Sequence, residues 1–235
     1  NKTASYKPMD ALSSEQWDII TMQQGSPKSG LAQTYDTYLA SLVTSVMSVC
    51  PDSELAWHMT WAYQATSTHS GFANYSNDQM TMYNAILDAV QTKVLPTGWF
   101  SKVIPNGTAV QNMRTSFVGD NLTRDGYHMS YDKGRYLTAL GYAKALTGRD
   151  LDKVTYTPSN YTYNEKEILA MKDAVNKAYE TPYAVTVSAY PPDQNFDPSK
   201  ATPAEILQYN GYDPANYTVM QIEYTDFAYY NSSNK

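Results

Sequence analysis

A chain of 235 residues with 42% hydrophobic content is long enough to bury a sizeable core, and one domain with appendages is expected rather than two full domains. A net charge of -6 without any clustered basic stripe argues against a nucleic-acid partner, and no apolar run approaches the ~20 residues of a membrane span. The single Cys50 excludes an internal disulfide framework and a cysteine-rich zinc site; it reads as a small buried hydrophobe at the apolar end of a helix.

Taken in order, the chain opens with a polar, irregular stretch to residue 16. Trp17 to Met22 is a short apolar run rich in β-branched residues and predicts a buried strand. It empties into the turn-forming loop Gln23 to Gly30. Tyr35, Tyr38, Leu39, Leu42, Val43 and Val46 then recur at helical spacing, ending before Pro51. Glu54 to Tyr63 reads as the next strand, followed by a polar loop holding His69. A helix is expected from Asn77 to Val94, with Met80, Tyr83, Ile86, Leu87, Val90 and Val94 in line and Pro96 and Gly98 as breakers. Lys102 to Pro105 predicts a third strand, leading into a small helical turn around Val110 to Arg114. The alternation of strand and helix is the pattern of an α/β domain with a parallel sheet. In such sheets the loops leaving the carboxyl ends of the strands build the site, which directs attention to Gln23 to Ser26.

The stretch Arg124-Asp125-Gly126-Tyr127-His128-Met129-Ser130 carries the clearest chemistry. An acid three residues before a histidine, on a glycine-containing turn, can fold back so that the carboxylate meets the ring. If Asp125 accepts from one ring nitrogen of His128, the other nitrogen is left as a general base. Ser130 is expected to cap the helix that follows, in which Tyr136, Ala139, Leu140, Ala143 and Leu146 form a stripe stopped by Gly148. Beyond a Tyr- and Thr-rich linker, Asn164 and Glu167 make a capping box for a helix to about Tyr179, and Ala184 to Ser188 reads as an edge strand. The rest is rich in Pro, Asn and Tyr, with one short helix opened by Thr202, Pro203 and Glu205 and one strand at Thr218 to Tyr224. The division expected is an α/β domain over 1–188 and a C-terminal extension over 189–235.

Four linked blocks resemble the SGNH (GDSL-type) hydrolase superfamily, and most closely a gut-bacterial branch classed as a domain of unknown function. They are Trp17-Asp18-Ile19-Ile20-Thr21-Met22-Gln23-Gln24; Thr60-Trp61-Ala62-Tyr63; Ile104 through Thr115; and Thr123-Arg124-Asp125-Gly126-Tyr127-His128 with Gly134-Arg135-Tyr136. The likeness runs from about Trp17 to Ser188. It implies a flavodoxin-like three-layer α/β/α sandwich and a serine hydrolase mechanism on small acyl esters, without cofactor or metal. In that family Asp-x-x-His supplies the acid and base of the triad, so Asp125 and His128 inherit those roles. The side-chain donor to the oxyanion hole is usually an Asn in a Gly-x-Asn-Asp block; here Gln23-Gln24-Gly25-Ser26 stands in its place. A Gln amide can donate as an Asn does. Neighbours on an extended segment face opposite ways, and Gln23 is favoured over Gln24.

One departure is serious: the Gly-Asp/Asn-Ser block that carries the family's nucleophile belongs upstream of Trp17, and the residues before Trp17 do not match it. The first family strands are missing with it. An N-terminal segment or a partner chain is therefore expected to complete the sheet and supply the serine. Ser26 and Ser116 are the in-chain alternatives, and neither lies on a nucleophile elbow. Trp61 and Tyr63 either line an acyl or sugar pocket or pack in the core. Arg114, Arg124 and Arg135 either brace the acid–base loop or meet an anionic substrate. His58 reads as a packed histidine, and the three histidines have no spacing that suggests shared metal ligation.

Two functions are consistent with these residues. One is a serine esterase of small acyl, for instance acetyl, esters, with a small-molecule or glycan substrate. The other is a non-catalytic glycan-binding or cell-surface protein on a degenerate scaffold. Tyr occurs 22 times, more than half of these at or after Tyr156, and such aromatic, Lys-poor composition accompanies an extracytoplasmic location.

Overall fold

The computed structural model describes residues 7–192, 199–209 and 214–216. Three short strands, β1 (Ile19–Met22), β2 (Glu54–His58) and β3 (Lys102–Ile104), form a parallel sheet in the order β1-β2-β3. Register places Met22 beside Trp57 and His58 beside Ile104, so the carboxyl ends of all three strands lie along one edge of the sheet. Seven α-helices are described: α1 (Pro8–Leu12), α2 (Gln33–Val49), α3 (Gln79–Ala89), α4 (Asn106–Arg114), α5 (Lys133–Thr147), α6 (Glu165–Glu180) and α7 (Pro203–Tyr209).

Alternation along the strands sorts the core into two sides. Leu55 and Trp57 of β2 join Met22 and the buried faces of α2 and α3 in one cluster, where Tyr35, Leu39, Val43, Tyr83 and Ile86 meet. The opposite face carries Thr21 and His58, which meet Tyr142 of α5. Beyond it, α4, α5 and α6 build a second cluster around Val110, Leu137, Leu140, Met171 and Val175. Helices on both faces of a parallel sheet make the three-layer α/β/α arrangement that the resemblance implies, on the parallel α/β sheet that the strand–helix alternation predicts.

The differences from expectation have local causes. The strand expected to reach Tyr63 stops at His58, because β3 gives way to Pro105, which lacks an amide, and to α4. Met59 to Tyr63 instead run as irregular chain, buried except for the partly exposed Trp61. The turn expected around Val110 is a nine-residue helix, α4, in which every residue from Asn106 to Met113 is buried. A helix enclosed on all sides has no polar face, so no 3.6-residue period betrays it. Its polar side chains are bonded internally: Thr108 to Tyr83, and Asn112 to the Ala174 carbonyl and the Thr186 amide.

That last bond also explains why 184–188 is not a strand. The Thr186 and Ser188 amides donate to Asn112 Oδ1 and Thr115 Oγ1, side chains of the α4 region, and not to a ladder. The helix expected to run unbroken to Val94 is α3 followed by a π-helical turn over Val90–Val94, and Met80 faces solvent. In α2, likewise, Tyr38 and Leu42 are exposed while Tyr35, Leu39, Val43 and Val46 are buried. In α5 the buried face is Gly134, Tyr136, Leu137, Leu140 and Gly141, so Ala139 and Leu146 lie outside it.

Ser130 accepts from the Gly134 amide at 2.9 Å, although α5 begins only at Lys133 and Asp132 holds the cap position. The capping box of α6 is present in both directions, Asn164 with the Glu167 amide and Glu167 with the Asn164 amide. Cys50 is buried, with its thiol on the Leu12 carbonyl.

Asn1–Asp193 form one compact unit and Gln194–Lys235 another. In the first, chain as far as Tyr190 is tied in by the Phe117 amide, which donates to the Tyr190 carbonyl at 2.9 Å. In the second, Thr202 and Glu205 cap α7 reciprocally. The strand expected at Thr218 to Tyr224 lies outside the described residues.

Candidate active site

The loop that carries Asp125 and His128 is a tight hairpin. Thr123 and Met129 form an antiparallel bridge, and the Arg124 amide donates to the His128 carbonyl at 3.0 Å. At its tip Gly126 has φ +88°, in the left-handed region, and a Cβ there would also lie 2.9 Å from Ser67 Oγ. The Gly126 carbonyl accepts from the Gln64 amide, so the tip is docked on the loop that follows β2.

Folded this way, His128 Nδ1 lies 2.7 Å from Asp125 Oδ2, while the amides of His128 and Tyr127 donate to Oδ1 at 2.8 and 3.3 Å. Desolvation pushes the Asp125 carboxyl up, but the hydrogen bonds from the His128 ring and these two amides outweigh it and hold it down at about 2. An ionised carboxylate only accepts, so the proton between them sits on Nδ1. Nε2 has no partner among the described residues. The ring is half exposed.

Gln23 leaves the end of β1 level with His58 at the end of β2. Its Oε1 lies 2.7 Å from His58 Nδ1, and the amide of Asn106, the first residue of α4, lies 3.0 Å from His58 Nε2. Gln24 points elsewhere: its amide nitrogen donates to Thr34 Oγ1 and its oxygen accepts from the Gly25 amide. Trp61 links this group to the hairpin, with its ring 6.1 Å from that of His58 and its Nε1 donating to the Tyr127 carbonyl at 2.8 Å. Gln23 and the hairpin are thereby linked only indirectly, through His58 and Trp61, at the carboxyl edge of the sheet.

A sequence profile for a domain of unknown function, DUF4886, matches residues 2–179. The chain belongs to this family. It is similar to the crystal structure of a DUF4886 family protein from Bacteroides uniformis ATCC 8492, at 39% identity and a TM-score of 0.74, over 78% of this chain and 70% of that one. No curated protein matches it.

The remaining candidate residues of this DUF4886 chain fall into two groups. Tyr63 is fully buried and shares a 3.0 Å hydrogen bond with Ser26 Oγ, while its ring lies 5.6 Å from that of Tyr127. Arg114 is also enclosed, its side chain 5% exposed. It donates to Asp120 at 2.6 Å, to Gln111 at 2.7 Å and to the Ala62 carbonyl at 3.0 Å. Asp120 in turn accepts from the Ala65 amide and from Gln79, so the pair braces the loop after β2. Ser116 is completely buried and donates to the Met113 carbonyl.

Arg124 stays partly exposed, 3.8 Å from Asp125, and it and Arg135 both lie against the Tyr131 ring. An aromatic neighbour of this pair, and the ring behind it, carry no signal in the pattern of the sequence. The Tyr127 ring stands 4.1 Å from that of His128, and His69 stands 4.6 Å from Tyr127. An apolar groove of about 410 Å³ runs beside α5 between Tyr131, Leu140 and Tyr156, and neither Asp125 nor His128 lines it. No group of three or more metal-ligating side chains occurs among the described residues, and no helix there is long and apolar enough to cross a membrane.

Proposed function

We propose that this chain carries the acid–base and oxyanion elements of an SGNH-type serine esterase acting on small acyl esters, such as acetyl groups on carbohydrates, outside the cytoplasm. The observation that carries the reading is the Asp125–His128 pair, with the carboxylate fixed on Nδ1 and Nε2 left open. In this mechanism Nε2 takes the proton from a serine hydroxyl as its oxygen attacks the acyl carbon. The negative charge that develops on the carbonyl oxygen is met by the Gln23 amide. Collapse of the tetrahedral species breaks the ester bond, and the departing alcohol takes the proton from His128. Water then attacks the acyl-serine, giving a proton to His128, and the acid leaves as the serine regains its hydrogen.

This reading takes the serine from polypeptide upstream of Trp17, where the block of the resembled family belongs; Ser26 shares a hydrogen bond with Tyr63 and Ser116 is buried. Trp61, Tyr127 and Arg124 border the acyl or sugar moiety. The experiment is hydrolysis of p-nitrophenyl acetate by protein made from the full-length gene. His128→Ala is expected to lower kcat by about 10³-fold or more, and Asp125→Asn by about 10²- to 10⁴-fold, with both variants folded. Hydrolysis unchanged in His128→Ala would refute the reading.

One observation favours a second reading, a glycan-binding scaffold without catalysis. No serine hydroxyl among the described residues is hydrogen-bonded to His128, and the dyad is bordered by aromatic rings of the kind on which sugars stack. Saturable binding of acetylated oligosaccharide without acetate release would support it.

A further inference from the structure

His58 is buried, apart from the dyad, and bonded at both ring nitrogens to carboxamides, and the direction of every hydrogen bond in that chain can be worked out. The starting point is a backbone carbonyl, which can only accept. Asn106 Nδ2 lies 3.2 Å from the Thr138 carbonyl and 3.0 Å from His58 Nε2. The atom facing Thr138 O must therefore be the amide nitrogen, since a carbonyl oxygen there would meet oxygen with oxygen. The second hydrogen of the same nitrogen points at His58 Nε2, so Nε2 is the acceptor.

A neutral imidazole that accepts at Nε2 carries its hydrogen at Nδ1. Nδ1 lies 2.7 Å from Gln23, so the Gln23 atom facing it is the oxygen. Both N–H bonds of Gln23 then point away from His58, on an exposed residue at the carboxyl edge of the sheet, and have no partner among the described residues. Burial pushes the His58 ring down to about 4, which keeps it neutral. Asn106 Oδ1 is buried and unbonded, wedged where a Cβ on Gly141 would lie 1.9 Å away. The two hydrogen bonds made by Nδ2 are what decide which way this carboxamide faces.

We propose that Asn106 and His58 are positioning residues that lock the Gln23 carboxamide with its N–H donors turned toward the oxyanion position. The inference rests on the esterase reading for the use made of those donors, but the orientation itself does not. A free Gln amide can present either end, and a carbonyl turned toward a developing oxyanion would repel it. Fixing the flip through His58 makes the donor preorganised.

The test combines spectroscopy and kinetics on the full-length protein. Long-range proton–nitrogen correlation of the His58 ring at pH 7 is expected to show Nδ1 protonated and Nε2 bare. A ring protonated at Nε2, in either the neutral or the charged form, would overturn the proposal whatever the activity. With p-nitrophenyl acetate, Gln23→Ala is expected to lower kcat by about 10²-fold, the usual loss for one oxyanion donor. His58→Leu keeps the bulk but cannot donate, and is expected to lose at least about tenfold in kcat with KM little changed.

His58→Gln can accept from Asn106 at one end and donate to Gln23 at the other, so it should recover most of that loss. If Gln23→Ala falls while His58→Leu does not, the positioning role is wrong and the esterase reading survives. If Gln23→Ala leaves kcat unchanged, the use of Gln23 as oxyanion donor fails with it. If His58→Gln loses as much as His58→Leu while both remain folded, the relay is refuted.

Discussion

Asp125 and His58 show how two ionisable residues of one fold are driven in opposite senses. Asp125 gathers three donors and stays charged; His58 is enclosed and stays neutral. An unfolded chain protonates His58 below its ordinary value of 6.5, whereas the folded protein does so only near 4. Between those values the unfolded state binds more protons, so stability falls as pH is lowered through that window. The contribution of His58 is on the order of 3 kcal/mol. Asp125 has the depressed folded value usual for an acid, so its contribution is present above its ordinary value of 3.8 and is lost as pH falls toward about 2. Urea denaturation at pH 7 and pH 4.5 should therefore show a drop that His58→Gln largely removes. A His58→Gln protein with the same drop would place the acid sensitivity elsewhere. The Asp-x-x-His string disclosed its pairing because three residues around a glycine suffice to close it. The partners of His58 lie 35 and 48 residues away, on two other elements, and no string discloses them.

The same contrast holds for whole elements. β1 is readable as a short apolar run, α2 and α6 because each presents one apolar face and a polar remainder, and the Asn164–Glu167 cap announces its own helix. α4 was nearly invisible because it is buried all round and carries Asn, Thr and Gln inside, each bonded to another element. Its last residue, Arg114, binds Asp120 and the Ala62 carbonyl, fixing the chain between β2 and α3. Asp120→Ala would leave a guanidinium with 5% exposure without its counter-charge. The expected loss is about 3 kcal/mol, or about 6–12 °C in Tm for a domain of this size. A calorimetric Tm within 2 °C of the parent protein would show that the pair is not a structural brace.

At the scale of the molecule, the strand–helix alternation was legible because a parallel sheet buried on both faces writes its strands as short apolar runs. The layering follows from that and from the register, which sets Gln23, His58 and Asn106 along one sheet edge. What the edge is for depends on a nucleophile, and the chemistry ascribed to His128 depends on it most. A fluorophosphonate that labels activated serines reads this directly, by intact mass of the full-length protein and of its His128→Ala variant. One adduct on the parent protein and none on the variant is the expected result. An unlabelled parent, or equal labelling of both, would contradict the assignment of His128 as the base of a serine esterase.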